Sequence, residues 1–228
     1  MSDVSLREKG QIDQIVDELD QAYNSSLYDI GFLSATIGNP NVKKIDQSFS
    51  GHALDVAIRA VVAKVVLYVA RCWENNGSSV LRAAKLLKGW GERIETERRE
   101  EHPDWSDESL EIGQVEAKIE KLHFEAHAFI ERADYKYLRV HRDEELAHHL
   151  RGKSASRRKL EETGVAIDPA TYDQVVELAQ LTAEFFSRIL QIWRFTIKHP
   201  ENWIDNSKDH TELFWEILPD LAEQEGSR

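Results

Sequence analysis

The longest apolar stretch of the chain runs from Ala53 to Ala70, and only Asp55, Arg59 and Lys64 interrupt it. Those charges argue against a membrane span, which takes about 18 or more consecutive apolar residues with few or no charges. The spacing predicts instead a long helix over residues 50–74, apolar nearly all the way round. A helix of that kind belongs at the centre of a bundle, where other helices cover it. The rest of the chain keeps the same period. Leu6, Ile12, Ile15, Val16, Leu19, Ala22 and Tyr23 recur at helical spacing within residues 6–37. No segment alternates convincingly with period two, the mark of a half-buried strand.

Turn residues divide the helices. Gly38-Asn39-Pro40 closes the first and Asn75-Asn76-Gly77 closes the apolar one. Ser78 or Ser79 can then cap a helix from Val80 to Leu87 by accepting a backbone N–H. Residues 88–112, rich in charge, Gly and Pro, read as a loop or a frayed helix. Val115, Ile119, Leu122, Ala126, Phe129, Ile130 and Ala133 form the next stripe, which bends or restarts near Asp134 and runs to about Leu150. Residues 151–167 are a polar connector, and Asp168-Pro169 supplies the N-cap and first residue of the last long helix. Its buried face is predicted from Tyr172, Val175, Val176, Ala179, Ala183, Phe186, Leu190, Trp193 and Ile197, with His199-Pro200 at its end. A short C-terminal helix over 209–224 carries Phe214 and Trp215, with Pro219 as a kink. The expectation is one all-α domain over residues 1–228, a bundle of four to five main helices with short extra ones.

Charge and cysteine content narrow the function. The formal net charge is −12, from 41 acidic and 29 basic residues among 228. Such a chain repels phosphates overall and cannot coat nucleic acid non-specifically, so any contact with RNA needs a local basic site. The single cysteine, Cys72, excludes an internal disulfide and every CxxC motif and reads as buried packing. Together with the absence of a basic-then-apolar leader after Met1, this predicts a cytoplasmic location and no membrane association. The six tryptophans read as core and interface anchors.

Leu138-Arg139-Val140-His141-Arg142-Asp143-Glu144-Glu145-Leu146-Ala147-His148-His149 is the segment densest in functional side chains. Five residues separate Arg142 from His148. An arginine, an acidic residue after it and then Ala-His resemble the Arg-x(4–6)-His motif of the HEPN superfamily, in which Asn, Asp or His follows the arginine. The wording Leu-Arg-x-x-Arg-Asp…Ala-His is most similar to the AbiU-type abortive-infection branch. Arg71-Cys72-Trp73-Glu74, followed by Ser78-Ser79-Val80-Leu81, is similar to that branch's junction after its long helix, and Ile167-Asp168-Pro169 fits the same layout. The resemblance covers roughly residues 50–200, with the helices over 6–37 and 209–224 packed on that core. Arg194-x4-His199 also satisfies the spacing, but Phe195 follows that arginine and Pro200 follows that histidine.

The resemblance implies a homodimeric, metal-independent endoribonuclease, without cofactors, acting as a toxin or phage-defence effector and open to an antitoxin partner. Arg142 would hold the phosphate and offset charge in the transition state. His148 would be the general acid or base, with Asp143 orienting one of them. His149 is the spare, because position i+7 returns to within about 20° of Arg142 on an ideal helix and i+6 does not. Arg139, Arg151, Lys153, Arg157 and Arg158 would steer RNA toward the site. The tyrosine that antitoxin-paired HEPN toxins carry two residues after the histidine is replaced by Leu150, so inactivation by nucleotide transfer to it is not supported.

Other readings accompany this one. Residues 142–145 can be a solvated, salt-bridged helix face, and the connector a loop partly neutralised by Glu161 and Glu162. The same fold can serve as a non-catalytic interaction module. Glu120-x-x-His123 and Glu145-x-x-His148 are the pairs a carboxylate metal bundle would use. His123 and His127, at i and i+4, could share a metal ion, but Phe124 and Phe129 beside them favour histidines in the core or a groove, and no metal site is expected.

Overall fold

The structure is a computed structural model that describes residues 3–46, 51–149 and 170–225, with side chains for 6–45, 51–143 and 170–217. Helical periodicity carries through. The described residues form nine helices and no strand: α1 (Asp3–Thr36), α2 (Pro40–Asp46), α3 (Gly51–Cys72), α4 (Val80–Leu87), α5 (Gly91–Glu101), α6 (Val115–Glu131), α7 (Ala133–His149), α8 (Tyr172–Arg194) and α9 (Pro200–Glu225). The molecule is all-α. Among the described residues, no helix is long and apolar enough to cross a membrane.

Local chemistry sets the α3–α4 boundary. Gly77 takes φ 83°, a left-handed conformation that a side chain would oppose. Ser79 is extended, and its Oγ accepts from the Arg82 N–H at 3.2 Å, which identifies Ser79 as the cap of α4.

The helices form two compact units. The first takes the residues up to Tyr23, Arg71–Arg132 and Thr182–Lys198. Its core centres on Trp73, stacked on Phe129 at 3.9 Å and edge-on to Phe185 at 4.9 Å. The Trp73 indole N–H donates to Thr182 Oγ1 at 2.9 Å, satisfying a polar group that burial would otherwise strand. Cys72 is buried beside it in sequence, as packing requires.

Arg98 is the second organiser of this unit and is 4% exposed. Its Nη1 donates to the Leu110 carbonyl at 2.9 Å and to Glu111 at 3.2 Å, and its Nη2 to the carbonyls of Gln191 and Ile192 at 2.9 and 3.0 Å. Its guanidinium lies 4.2 Å from the Phe195 ring centre. Burial pulls the guanidinium below its ordinary value, opposed by the hydrogen bond and charge of Glu111. Glu111 and Phe195, which Arg98 holds, have positive φ of 59° and 52°. That conformation ends α8 at Arg194, short of the predicted His199. Ile197 therefore lies outside the helix and is 67% exposed, and Tyr172, at the other end of the predicted stripe, is 39% exposed.

The loop or frayed helix expected over 88–112 is corrected here, because the segment contains the three-turn helix α5 over Gly91–Glu101. The inward stripe of α5 is Gly91, Ile94 and Arg98, only one of them a bulky apolar residue, so hydrophobic periodicity could not report it.

The second unit takes Asn24–Ala70, Ala133–Leu181 and the residues from His199 onward. Here α9 packs on the C-terminal half of α1. Gly31 permits the approach: a methyl group there would stand 2.5 Å from Ser207 Cβ and 2.6 Å from the Ile204 carbonyl oxygen. Ser207 Oγ donates to the Tyr28 carbonyl, and the Trp215 indole N–H to Thr36 Oγ1 at 3.1 Å. The C-terminal helix starts at Pro200, nine residues before the expected position, because a proline that cannot continue one helix is well shaped to begin the next. The expectation for α3 also needs correction. Val62, Val65, Val66 and Val69 are buried, but Val56 is 54% and Leu67 46% exposed, so the helix is not covered all round.

Candidate functional site

Helix α7 is anchored by Tyr135 and Leu138, both buried. Arg142 continues their stripe, four residues beyond Leu138, and this explains why its long side chain is only 19% exposed. Its Nε and Nη2 both donate to Asp143 Oδ1, at 2.9 and 2.7 Å. Asp143 is more open, at 43%. An arginine oriented by a carboxylate presents donors in a fixed fork that suits phosphate oxygens. One residue earlier, His141 Nδ1 lies 3.2 Å from the Ala170 carbonyl oxygen. A carbonyl can only accept, so Nδ1 carries the hydrogen, and the contact ties α7 to the residue that precedes α8 by two positions.

The structure thus brings Arg142 and Asp143 together. Helix α7 continues through His148 and His149, whose side chains lie outside the described ones. Arg139 is exposed on the same helix. Arg151, Lys153, Arg157 and Arg158 lie outside the described residues, as does Ile167-Asp168-Pro169. The second Arg-x4-His match is engaged elsewhere: Arg194 pairs with Asp17 at 2.5 Å, and His199 with Glu201 at 2.9 Å.

Sequence reading missed a polar cavity in the first unit. Gln11, Gln14, Ile15 and Glu18 of α1 face Arg71, Glu74, Asn76, Gly77, Ser78 and Arg82 across about 410 Å³. Glu18 organises its wall. Ser78, Gln14 and Arg71 hold the Glu18 carboxyl below its usual range, the Ser78 hydrogen bond contributing most. Arg71 stands 3.7 Å from that carboxylate, and Arg82 Nη1 donates to the Gly77 carbonyl at 3.2 Å. Arg71 and Glu74 are the residues of the family-like junction, so that junction lines a cavity. The Gln11, Gln14, Glu18 spacing was a signal for the opposite wall, since all three fall on one side of α1.

Among the described residues, no group of three or more His, Cys, Asp or Glu side chains is placed to hold a metal ion. The Glu145 and His148 side chains of the second Glu-x-x-His pair lie outside those residues.

A family model, HEPN_AbiU2, described as AbiU2, matches residues 9–214. The match extends beyond residues 50–200 at both ends and takes in most of α1 and the first part of α9. Comparisons with curated proteins and with solved structures return no match.

Proposed function

The chain belongs to the HEPN_AbiU2 family, and from that premise we propose that it is an abortive-infection endoribonuclease that cleaves RNA without a metal ion. The observation that carries the reading is Arg142, largely covered, held by Asp143, and followed on the same helix by His148 and His149. In the proposed reaction a ribose 2′-hydroxyl attacks the adjacent phosphorus and the 5′-oxygen leaves, giving a 2′,3′-cyclic phosphate and a free 5′-hydroxyl. Arg142 binds the non-bridging oxygens and offsets their growing charge. His148 transfers the proton at the attacking or leaving oxygen, with His149 as the alternative. The active form is a homodimer in the cytoplasm, acting as a toxin or phage-defence effector under the control of an antitoxin protein.

A second reading, a non-catalytic interaction module, draws on the same ion pair, because Asp143 already engages two of the Arg142 donors. Cleavage of RNA by the purified chain in EDTA, compared with His148→Ala prepared identically, separates the two. Cleavage by the wild type that leaves cyclic-phosphate ends and is lost in the variant supports the ribonuclease. Equal residual activity in both removes His148 from the mechanism. No cleavage of any RNA tested favours the interaction module.

A further inference from the structure

The histidines of α6 do not lie in a core, one of the two environments expected for them. The inner face of α6 is Val115, Ile119, Leu122, Ala126 and Phe129, all buried, and this fixes the rotation of the helix. Phe129 belongs to that face, but Phe124 is 74% exposed, so it does not enclose the histidines in a core. His123 is half-buried and His127 exposed. Their rings sit 4.6 Å apart between centroids and are inclined at 61°. Glu125, between them in sequence, is engaged by Arg188 of α8 at 2.6 Å and by Lys121 at 3.9 Å.

We propose that His123 and His127 form a two-nitrogen binding site for a divalent transition-metal ion of the Ni²⁺, Cu²⁺ or Zn²⁺ class. Two imidazoles at i and i+4 on one rigid helix can direct a nitrogen each at one ion, and imidazole is a preferred ligand of these metals. The ion binds the neutral form of imidazole. The −12 net charge attracts cations at long range. No third protein ligand joins the pair among the described residues, and an ion held there by two imidazoles and water exchanges readily. The pair lies on α6, whereas Arg142 lies on α7.

Calorimetric titration of the full chain, free of any histidine tag, with NiCl₂ in a non-coordinating buffer tests this. One ion per chain is expected. His123→Ala and His127→Ala should each weaken binding by at least about tenfold, since each removes half of the protein ligands. Neither side chain is fully buried, and unchanged far-UV dichroism and Tm would show that the variants fold. Electron paramagnetic resonance of the Cu²⁺-loaded protein should report two coupled imidazole nitrogens. Absence of Ni²⁺ binding, or binding unaltered in both variants, overturns the assignment and places any ion on other histidines.

Discussion

At the scale of single residues, two arginines do different work on similar chemistry. Arg142 sits at the edge of a buried stripe against Asp143, where a phosphate could compete for it. Arg98 is enclosed, and its partners are mostly backbone carbonyls that have no other route to a donor once buried. Replacing Arg98 with Met keeps much of the side chain's volume but strands those carbonyls. The expected loss is about 3 kcal/mol, read as a lower denaturant midpoint at unchanged m value. Arg98→Lys should recover little, because one ammonium cannot span Leu110 and the end of α8 together. Arg142→Ala, by contrast, should leave the denaturant midpoint within about 1 kcal/mol of wild type while abolishing cleavage.

At the scale of elements, close approach can matter more than propensity. Alanine favours a helix over glycine, yet Gly31→Ala should destabilise the chain by about 2 kcal/mol or more, because the added methyl group meets the Ile204 carbonyl rather than a movable side-chain tip. Thermal unfolding of the variant checks the sign. Both effects show why parts of the fold were legible in sequence and others were not. Helices α4, α6 and α8 announce themselves through apolar stripes, and α7 through its motif. Helix α5 does not, because glycine and a buried arginine hold two of its inward positions. Helix α3 misleads in the other direction, since an apolar residue such as Val56 can lie on the surface. The cavity at the α3–α4 junction has walls some 60 residues apart in the chain, between Glu18 and Ser78, and no local pattern joins them. Phe124 and Phe129 beside the α6 histidines point to a core or a groove, and the rotation set by Leu122 and Ala126 leaves His123 half-buried and His127 exposed.

At the scale of the whole molecule, the proposed active form is a homodimer. Sedimentation should give a mass near twice 26.3 kDa at working concentration. If Arg142 of one chain meets His148 of the other, Arg142→Ala and His148→Ala, each inactive alone, should together restore about a quarter of wild-type cleavage, from the one intact site in each mixed dimer. No restoration would mean that both pairs act in one chain or that all four groups share a single cleft. The unaltered chain also carries its own gauge of breathing. Its sole thiol, Cys72, is 2% exposed beside Trp73 in the first unit. Alkylation therefore proceeds only through opening of that neighbourhood, and with one thiol per molecule it follows a single exponential. Its rate against denaturant would separate a fluctuation near the end of α3 from complete unfolding, with no label introduced.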